Sequence, residues 1–149
     1  MRAFSLTLAL GMLLAGANGA RAQSSGVTYI AGSTVAAAFA KGAPLIETGT
    51  YKVHASHREA AGMAEVHERD TDIIHVLDGT ATFVTGGSVV EGRMTAAEEV
   101  RGASIQGGET RTLAKGDVII VPAGTPHWFR AVQGTFLYYV VKVPDGGMR

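Results

Sequence analysis

The residues most suited to chemistry in this sequence are histidines and carboxylates in the stretch "AEVHERDTDIIHVLDG". Glu65 and His67 are two positions apart, so on a β-strand their side chains point to the same side. A bend of polar residues follows, and a second strand opens near Asp72. We expect two strands joined in this way to bring the three side chains together.

His127 lies in "GDVIIVPAGTPHWF", directly after a turn with a proline on each side of Gly124. Proline fixes φ and glycine permits a sharp reversal, so the turn directs His127 inward. Phe129 has the same strand parity and should line the same cavity, whereas Trp128 and Arg130 should lie on the opposite side.

Together these side chains form a mixed imidazole and carboxylate set, and we predict that all four bind a divalent metal ion: Glu65, His67, Asp72 and His127. Zn, Fe, Mn, Ni and Cu all suit such donors. Glu65 could instead be a catalytic acid or base beside the metal. In the absence of a metal ion, the four groups would form a hydrogen-bonded polar cluster.

The remaining histidines are predicted to lie outside this set. His75 is three positions from Asp72 and should therefore face the opposite way, on the outer sheet face or at an interface. His54 and His57 face opposite ways if one strand carries both, and each is expected at the surface or at an interface. Further polar groups could act from beside the metal: Tyr51, Arg69, Tyr138 and Tyr139.

Short β-rich runs separated by glycines predict an all-β sandwich or barrel. Three runs, "DIIHVL", "VIIV" and "FLYYVV", are apolar on both faces, so the outer face needs a cover. An N-terminal helix over Thr34–Lys41, capped by Ser33 and ended by Gly42, or a second subunit could provide it. We therefore expect a homodimer. Within the uncertain segment 86–108, "TAAEEVR" is expected to be a short helix or an ordered loop.

Residues 1–22 have the features of a secretory signal peptide: a basic start, an apolar stretch and the cleavage pattern "ARA". This predicts export to the periplasm or the extracellular space, with residues 23–149 as a single domain. Removing Arg2 and Arg21 from the 13 basic side chains leaves 11 against 13 acidic ones. No basic footprint for nucleic acid or a membrane surface remains, and the partner we expect is a small molecule.

The two stretches resemble the motifs of the cupin superfamily. The second motif of that family is matched by Gly116, five residues, Pro122-x-Gly124, two residues and His127. Its final asparagine is replaced here by Ala131.

The first motif is matched in spacing by Glu65-x-His67, four residues, Asp72, six residues and Gly79. Glu65 replaces the first histidine of the family pattern, and Asp72 replaces its glutamate. The resemblance covers about residues 53–143.

This resemblance implies a small antiparallel jelly-roll β-barrel, often dimeric, with a metal ion in its mouth. The short N-terminal helix would be added to that barrel. Similar proteins include dioxygenases, isomerases, decarboxylases and lyases, so we expect action on a small polar molecule. The alternatives are a non-catalytic module that binds a ligand or a metal ion, and a metal-free structural dimer.

Overall fold

The computed structural model describes residues 26–146. The predicted signal peptide, residues 1–22, lies outside the described residues. Within residues 26–146, no helix is both long enough and apolar enough to span a membrane.

The described chain is mostly β-structure, with one helix near its start. The elements are α1 (Gly32–Lys41), β1 (Ala43–Glu47), β2 (Lys52–Arg58), β3 (Ala64–His67), β4 (Asp70–Thr85), β5 (Ser88–Val90), β6 (Arg93–Ala96), β7 (Glu99–Gly102), β8 (Ser104–Gln106), β9 (Glu109–Ala114), β10 (Val118–Val121) and β11 (His127–Pro144). All strand pairs are antiparallel. The predicted jelly-roll β-barrel with a short N-terminal helix is confirmed.

The two long strands, β4 and β11, pair with each other along most of their lengths, and each runs through both halves of the barrel. One half of β11 also pairs with β2, and the beginning of β11 pairs with β3. The first half of β4 pairs with β10 and its second half with β9. The barrel is therefore a curled sheet in which these two strands run through the whole molecule.

The pairing register between β4 and β11 shifts between Gln133 and Leu137 on β11, and Leu137 pairs with Asp78 on β4. Both strands bend at this shift. Gly79 is at this bend with φ +83°, and a Cβ there would lie 2.1 Å from the carbonyl oxygen of Thr135. Glycine is therefore required at position 79. Beyond the bend the inward-facing side chains change from even to odd numbers on β4, because the bend breaks the two-residue alternation.

The main core fills the interior around the bend and consists of buried side chains from four strands: Ile74, Val76, Ala81, Phe83, Leu113, Val121, Phe129, Phe136, Tyr138 and Val140. A smaller cluster on the outside of the sheet joins Ala64, Val84 and Ile105, with Trp128 packed against it. Phe129 and Trp128 therefore face opposite ways, as strand parity predicts, and Arg130 is exposed.

The helix α1 begins earlier than predicted, and Ser33 does not cap it. Its N-cap residue is Ala31, without a side-chain cap. The amides of Thr34 and Val35 donate to the carbonyl oxygen of Ala31. Gly42 ends the helix at φ +68°, as expected. The ring of Phe39 packs edge-on against Tyr139 at 4.9 Å between centroids, so the helix covers part of the outer face of the sheet.

The segment 86–108 forms four short strands. The prediction of a short helix or an ordered loop over "TAAEEVR" is therefore wrong. β6 and β7 form a hairpin that extends the sheet from the edge of β3. Glu98, in the turn between them, has φ +64°, which is incompatible with a continuing helix. The pairing of β7 with β3 overrides the helical tendency of the sequence.

Candidate metal centre

Three strands bring the four predicted donors together. β3 carries Glu65 and His67, β4 carries Asp72, and β11 begins with His127, which is directly opposite Glu65 in the sheet. β3 and β4 are consecutive along the chain, but they do not pair with each other within the described residues. The two strands lie close together because β11 pairs with both of them.

The proline-rich turn is fixed to the backbone beside His67. The Gly124 amide donates to the carbonyl oxygen of His67 at 2.8 Å, and the Ala123 amide donates to Thr71 Oγ1 at 3.3 Å. Gly124 has φ +76°, the left-handed conformation that favours glycine. The turn therefore aims His127 inward and also joins the second motif to the first.

The donor atoms form a compact cluster. His67 Nε2 lies 3.6 Å from Glu65 Oε2 and 3.5 Å from Asp72 Oδ2. His127 Nε2 lies 4.0 Å and 3.8 Å from the same two oxygens. Atoms bound to one metal ion at about 2.0–2.2 Å lie roughly 3.0–3.5 Å apart. The four separations are slightly wider than those of a filled site. Asp72 Oδ2 is near both histidine nitrogens, but Asp72 is not part of the group whose ligand atoms all lie within 4.8 Å of one another.

The nitrogen atoms of the two imidazoles are arranged as metal ligands require. His67 Nε2 is buried and has no hydrogen-bond partner among the described residues. His127 Nδ1 lies 3.0 Å from the carbonyl oxygen of Thr125, so the proton is on Nδ1 and the Nε2 lone pair faces the cluster. One ligand atom from each of Glu65, His67 and His127 lies within 4.8 Å of the others. A divalent ion fits this donor set.

The protonation states also favour a cation. Burial alone would raise the pKa of Glu65, but its interaction with His67 and the charge of Arg101 lower that pKa to about 2. Burial lowers the pKa of His127. Near neutral pH, Glu65 is therefore ionised and His127 is neutral, which are the forms that bind metal ions.

The two carboxylates differ in their partners. Both oxygens of Asp72 accept hydrogen bonds from Lys142 Nζ, at 2.8 and 2.9 Å. Glu65 Oε1 lies 3.1 Å from Arg101 Nη1, while Glu65 Oε2 is the oxygen nearest to the histidines. Glu65 therefore has one oxygen directed at the two imidazoles, whereas Asp72 shares both oxygens with Lys142.

The other histidines mostly follow strand parity. His75 is exposed on the outer face of β4, as predicted. His57 Nδ1 contacts the carbonyl oxygen of Phe39 at 2.8 Å, so His57 lies under α1. His54 faces the other way from His57, as expected if one strand carries both, and it lines the open cavity and contacts Glu47 Oε1 at 2.7 Å.

Of the four groups proposed to act beside the metal, Tyr138 alone lines the cavity. Tyr51 is exposed, Arg69 pairs with Glu98 at 2.9 Å, and Tyr139 packs on α1. These three side chains do not line the cavity that holds the donors. Strand parity separates Tyr138 from Tyr139, but the sequence did not show which of them faced inward.

Polar cavity residues that the sequence analysis missed are Ser56, Arg58, Glu99, Arg101 and Lys142. Arg58 and Ser56 share the parity of His54 on β2, and Lys142 shares the parity of Tyr138 on β11. Lys142, a charged residue in the apolar run of β11, was therefore an available signal, whereas the positions of β2 that face the cavity are all polar and indicated no inward direction. Arg101 and Glu99 could not be placed while β7 was expected to be a helix or a loop.

These residues enclose an open cavity of about 380 Å³ with the donor cluster in its wall. Its apolar lining includes Ile74, Phe129 and Val140. This volume is at the small end of the range for ligand pockets, roughly 300–1,000 Å³. The cavity is therefore suited to a small molecule.

Comparisons with known proteins agree with this architecture. The cupin family model matches residues 20–149. No curated protein matches the chain. A Bacillus halodurans protein of known structure superposes with a TM-score of 0.56 at 13% identity, covering 81% of this chain and 84% of the other. The cupin domain of Schizosaccharomyces pombe Cnp3 gives 0.50 at 14% identity, covering 70% of this chain and 60% of that one.

The fold, the donor cluster in the barrel mouth and the family match together define the class of this protein. The chain belongs to the cupin family. The two structural matches, both below 25% identity, support the fold alone.

Proposed function

We propose that this chain is an exported cupin that binds one divalent metal ion in the barrel mouth and acts on a small polar molecule there. The observation that carries the proposal is the buried Nε2 of His67, which has no hydrogen-bond partner among the described residues. Leaving a buried polar atom unpaired costs free energy. A cation held by His67, His127 and Glu65 would remove that cost.

Asp72 is the fourth donor of the proposed set. Its Oδ2 is as near to the two histidine nitrogens as the Glu65 oxygen is. Lys142 donates to both oxygens of Asp72, whereas Arg101 contacts only Oε1 of Glu65 and leaves Oε2 directed at the histidines. We therefore assign the larger share of the affinity to Glu65.

A divalent ion at this position would polarise an oxygen atom of a bound molecule or activate water or oxygen. The residues of the chain supply the surroundings. Ile74, Phe129 and Val140 form an apolar wall beside the donors. The Tyr138 hydroxyl, held by Arg58 Nε at 2.8 Å, is a polar group that can orient a ligand.

The metal content of purified protein tests the proposal. We expect about one divalent ion per chain in the wild type and none in the His67→Ala, His127→Ala double variant, with the barrel still folded by circular dichroism. An equal metal content in both proteins would contradict the proposed site, and the four side chains would then be a hydrogen-bonded cluster.

Turnover requires a separate measurement. A panel of small carboxylates and sugar acids, assayed with several metals, should give a product with wild-type protein. A metal-loaded protein that binds members of the panel without converting any of them would instead be the non-catalytic binding module.

We also propose a homodimer formed through the outer face of β10. Val118 and Ile120 are each 61% exposed, and β10 pairs only with β4 among the described strands. An apolar edge strand of this kind favours association with a second copy of the chain. Light scattering should give about twice the chain mass, and a monomer at micromolar concentration would contradict the dimer.

Export depends on the predicted signal peptide. Intact-mass measurement of protein recovered from outside the cytoplasm should give a chain that begins at Gln23. Recovered protein that retains Met1 would refute cleavage.

A further inference from the structure

The cavity wall carries equal numbers of positive and negative side chains, but they do not all form close ion pairs. They are three cations and three carboxylates: Arg58, Arg101, Lys142, Glu65, Asp72 and Glu99. Lys142 is matched by Asp72. Arg101 pairs with two carboxylates: its Nη1 lies 3.1 Å from Glu65 Oε1, and its Nε lies 2.5 Å from Glu99 Oε1. Arg58 is therefore the cation left over, and its nearest carboxylate oxygen, on Glu65, is 4.0 Å away.

The guanidinium of Arg58 is held in a fixed position although it lacks a close carboxylate. Its Nε donates to the Tyr138 hydroxyl at 2.8 Å, and its Cζ lies 4.6 Å from the centre of the Phe129 ring. Gly62 leaves room for Nη1, since a Cβ at that position would lie 2.6 Å from it. An anchored and stacked guanidinium loses little further conformational freedom when it binds a ligand.

The two terminal nitrogens of Arg58 are available. Neither donates a hydrogen bond to any residue in the part of the chain that the structure describes, and the side chain is 24% exposed at the cavity wall. The terminal N–H groups of a guanidinium match the paired oxygens of a carboxylate or a phosphate. Arg58 thus presents the geometry of an oxyanion receptor on the wall that holds the metal donors.

The charge balance leads to the same conclusion. With neutral histidines the three cations and three carboxylates cancel, so a divalent ion would give the cavity a net charge of plus two. An ion bound to Glu65 would also weaken the attraction of Glu65 for Arg58. An anionic ligand would neutralise both the ion and the arginine.

We propose that the small molecule bound in this cavity carries an oxyanion, either a carboxylate or a phosphate, and that Arg58 binds that group beside the metal donors. This inference rests on the proposed function for the location of the ion. The assignment of Arg58 itself follows from its own contacts.

Isothermal titration with three probes tests the inference: malonate, inorganic phosphate and the uncharged malonamide. Metal-loaded protein, freed of excess ion, and metal-free protein are titrated in parallel. We expect wild-type protein to bind an anion and not malonamide, and the tighter of the two anions identifies the group. Arg58→Gln should weaken that binding about 10- to 100-fold, since a hydrogen-bonded charge is lost. Arg58→Lys should restore part of it.

Arg130→Gln is the matched control, because Arg130 is exposed on the opposite side of β11. It removes the same charge and should leave anion binding unchanged. Malonamide binding as tight as malonate binding, no binding of any probe, or an Arg58→Gln variant equal to the wild type would overturn the proposal.

Metal content, measured on the same samples, separates the two proposals. Loss of anion binding in Arg58→Gln with full metal content supports the arginine receptor independently of the metal. A wild type without metal refutes the metal centre, and the metal-free titrations then decide the role of Arg58 alone. An Arg58→Gln variant that fails to fold leaves the comparison of malonate with malonamide, in wild-type protein, as the deciding measurement.

Discussion

The mouth of the barrel and the end around the bend use the same two strands in opposite ways. Near the bend, inward positions of β4 and β11 hold apolar side chains such as Ala81 and Phe136, both fully buried. At the mouth, inward positions of the same strands hold Asp72, His127 and Lys142. Strand parity thus determines whether a side chain points inward. The distance of an inward-pointing residue from the bend then determines whether that residue belongs to the core or to the candidate site.

The largest effect should come from the bend. Phe136→Ala removes a side chain with no exposed surface and should lower the free energy of unfolding by about 3–5 kcal/mol. His127→Ala at the mouth should cost less, about 1–2 kcal/mol, because the imidazole, although buried, is smaller and more polar than a phenyl ring and borders a cavity that water can fill. Urea denaturation of metal-free proteins measures both values. Equal losses would show that the mouth is also structural core.

Within the mouth, the two carboxylates should differ in their effect on metal affinity. Glu65→Gln should weaken metal binding more than about 100-fold and Asp72→Asn about 10-fold, because Lys142 occupies both oxygens of Asp72 while Glu65 keeps one oxygen directed at the histidines. Competition with a chelator measures both affinities. Equal losses would make Asp72 an equal ligand. If Glu65→Gln retained the metal and lost turnover, Glu65 would be an acid or base.

On the outer face the expected effect is on assembly. Ile120→Lys places a charge on a side chain that is 61% exposed and should weaken the proposed dimer at least about tenfold. Light scattering over a range of protein concentrations follows the change. Arg130→Gln, away from β10, is the control. An unchanged dimer would show that another surface joins the two copies.

The smallest effect should come from His75→Ala. His75 is exposed on the outer face of β4, so its loss should change the free energy of unfolding by less than about 0.5 kcal/mol. Metal content should remain at the wild-type value. A loss of metal in this variant would show that the inner and outer faces are not independent.

Much of the fold was predictable from the sequence, because the short β-rich runs and the glycines between them are local signals. The spacing of the second motif predicted the turn and the inward direction of His127, and parity separated His75 from Asp72. Glu65, His67 and Asp72 were predicted to meet, and they do. The strand that joins them, β11, was not predicted, since pairing between distant strands leaves no local mark in the sequence.

The remaining site residues depended on such long-range pairing. Arg101 enters the cavity because β7 pairs with β3, although its segment has helical tendencies. Arg58 and His54 required knowledge of which face of β2 was covered by α1. These orientations arise from tertiary packing, so a local pattern could not decide between them.

The pairing of β11 has a consequence for the order in which the protein folds. β11 is the last described strand along the chain, and it supplies the partner of β2, β3 and β4. While the chain is being synthesised, each of those earlier strands can pair with β1, β7, β9 or β10, but the edge that β11 will occupy stays unpaired and open to aggregation until β11 emerges. Barrel closure and the arrival of His127 then occur in the same event. Metal capture should accordingly be a late step of folding, and refolding should be slow, as is usual for non-local β-pairing.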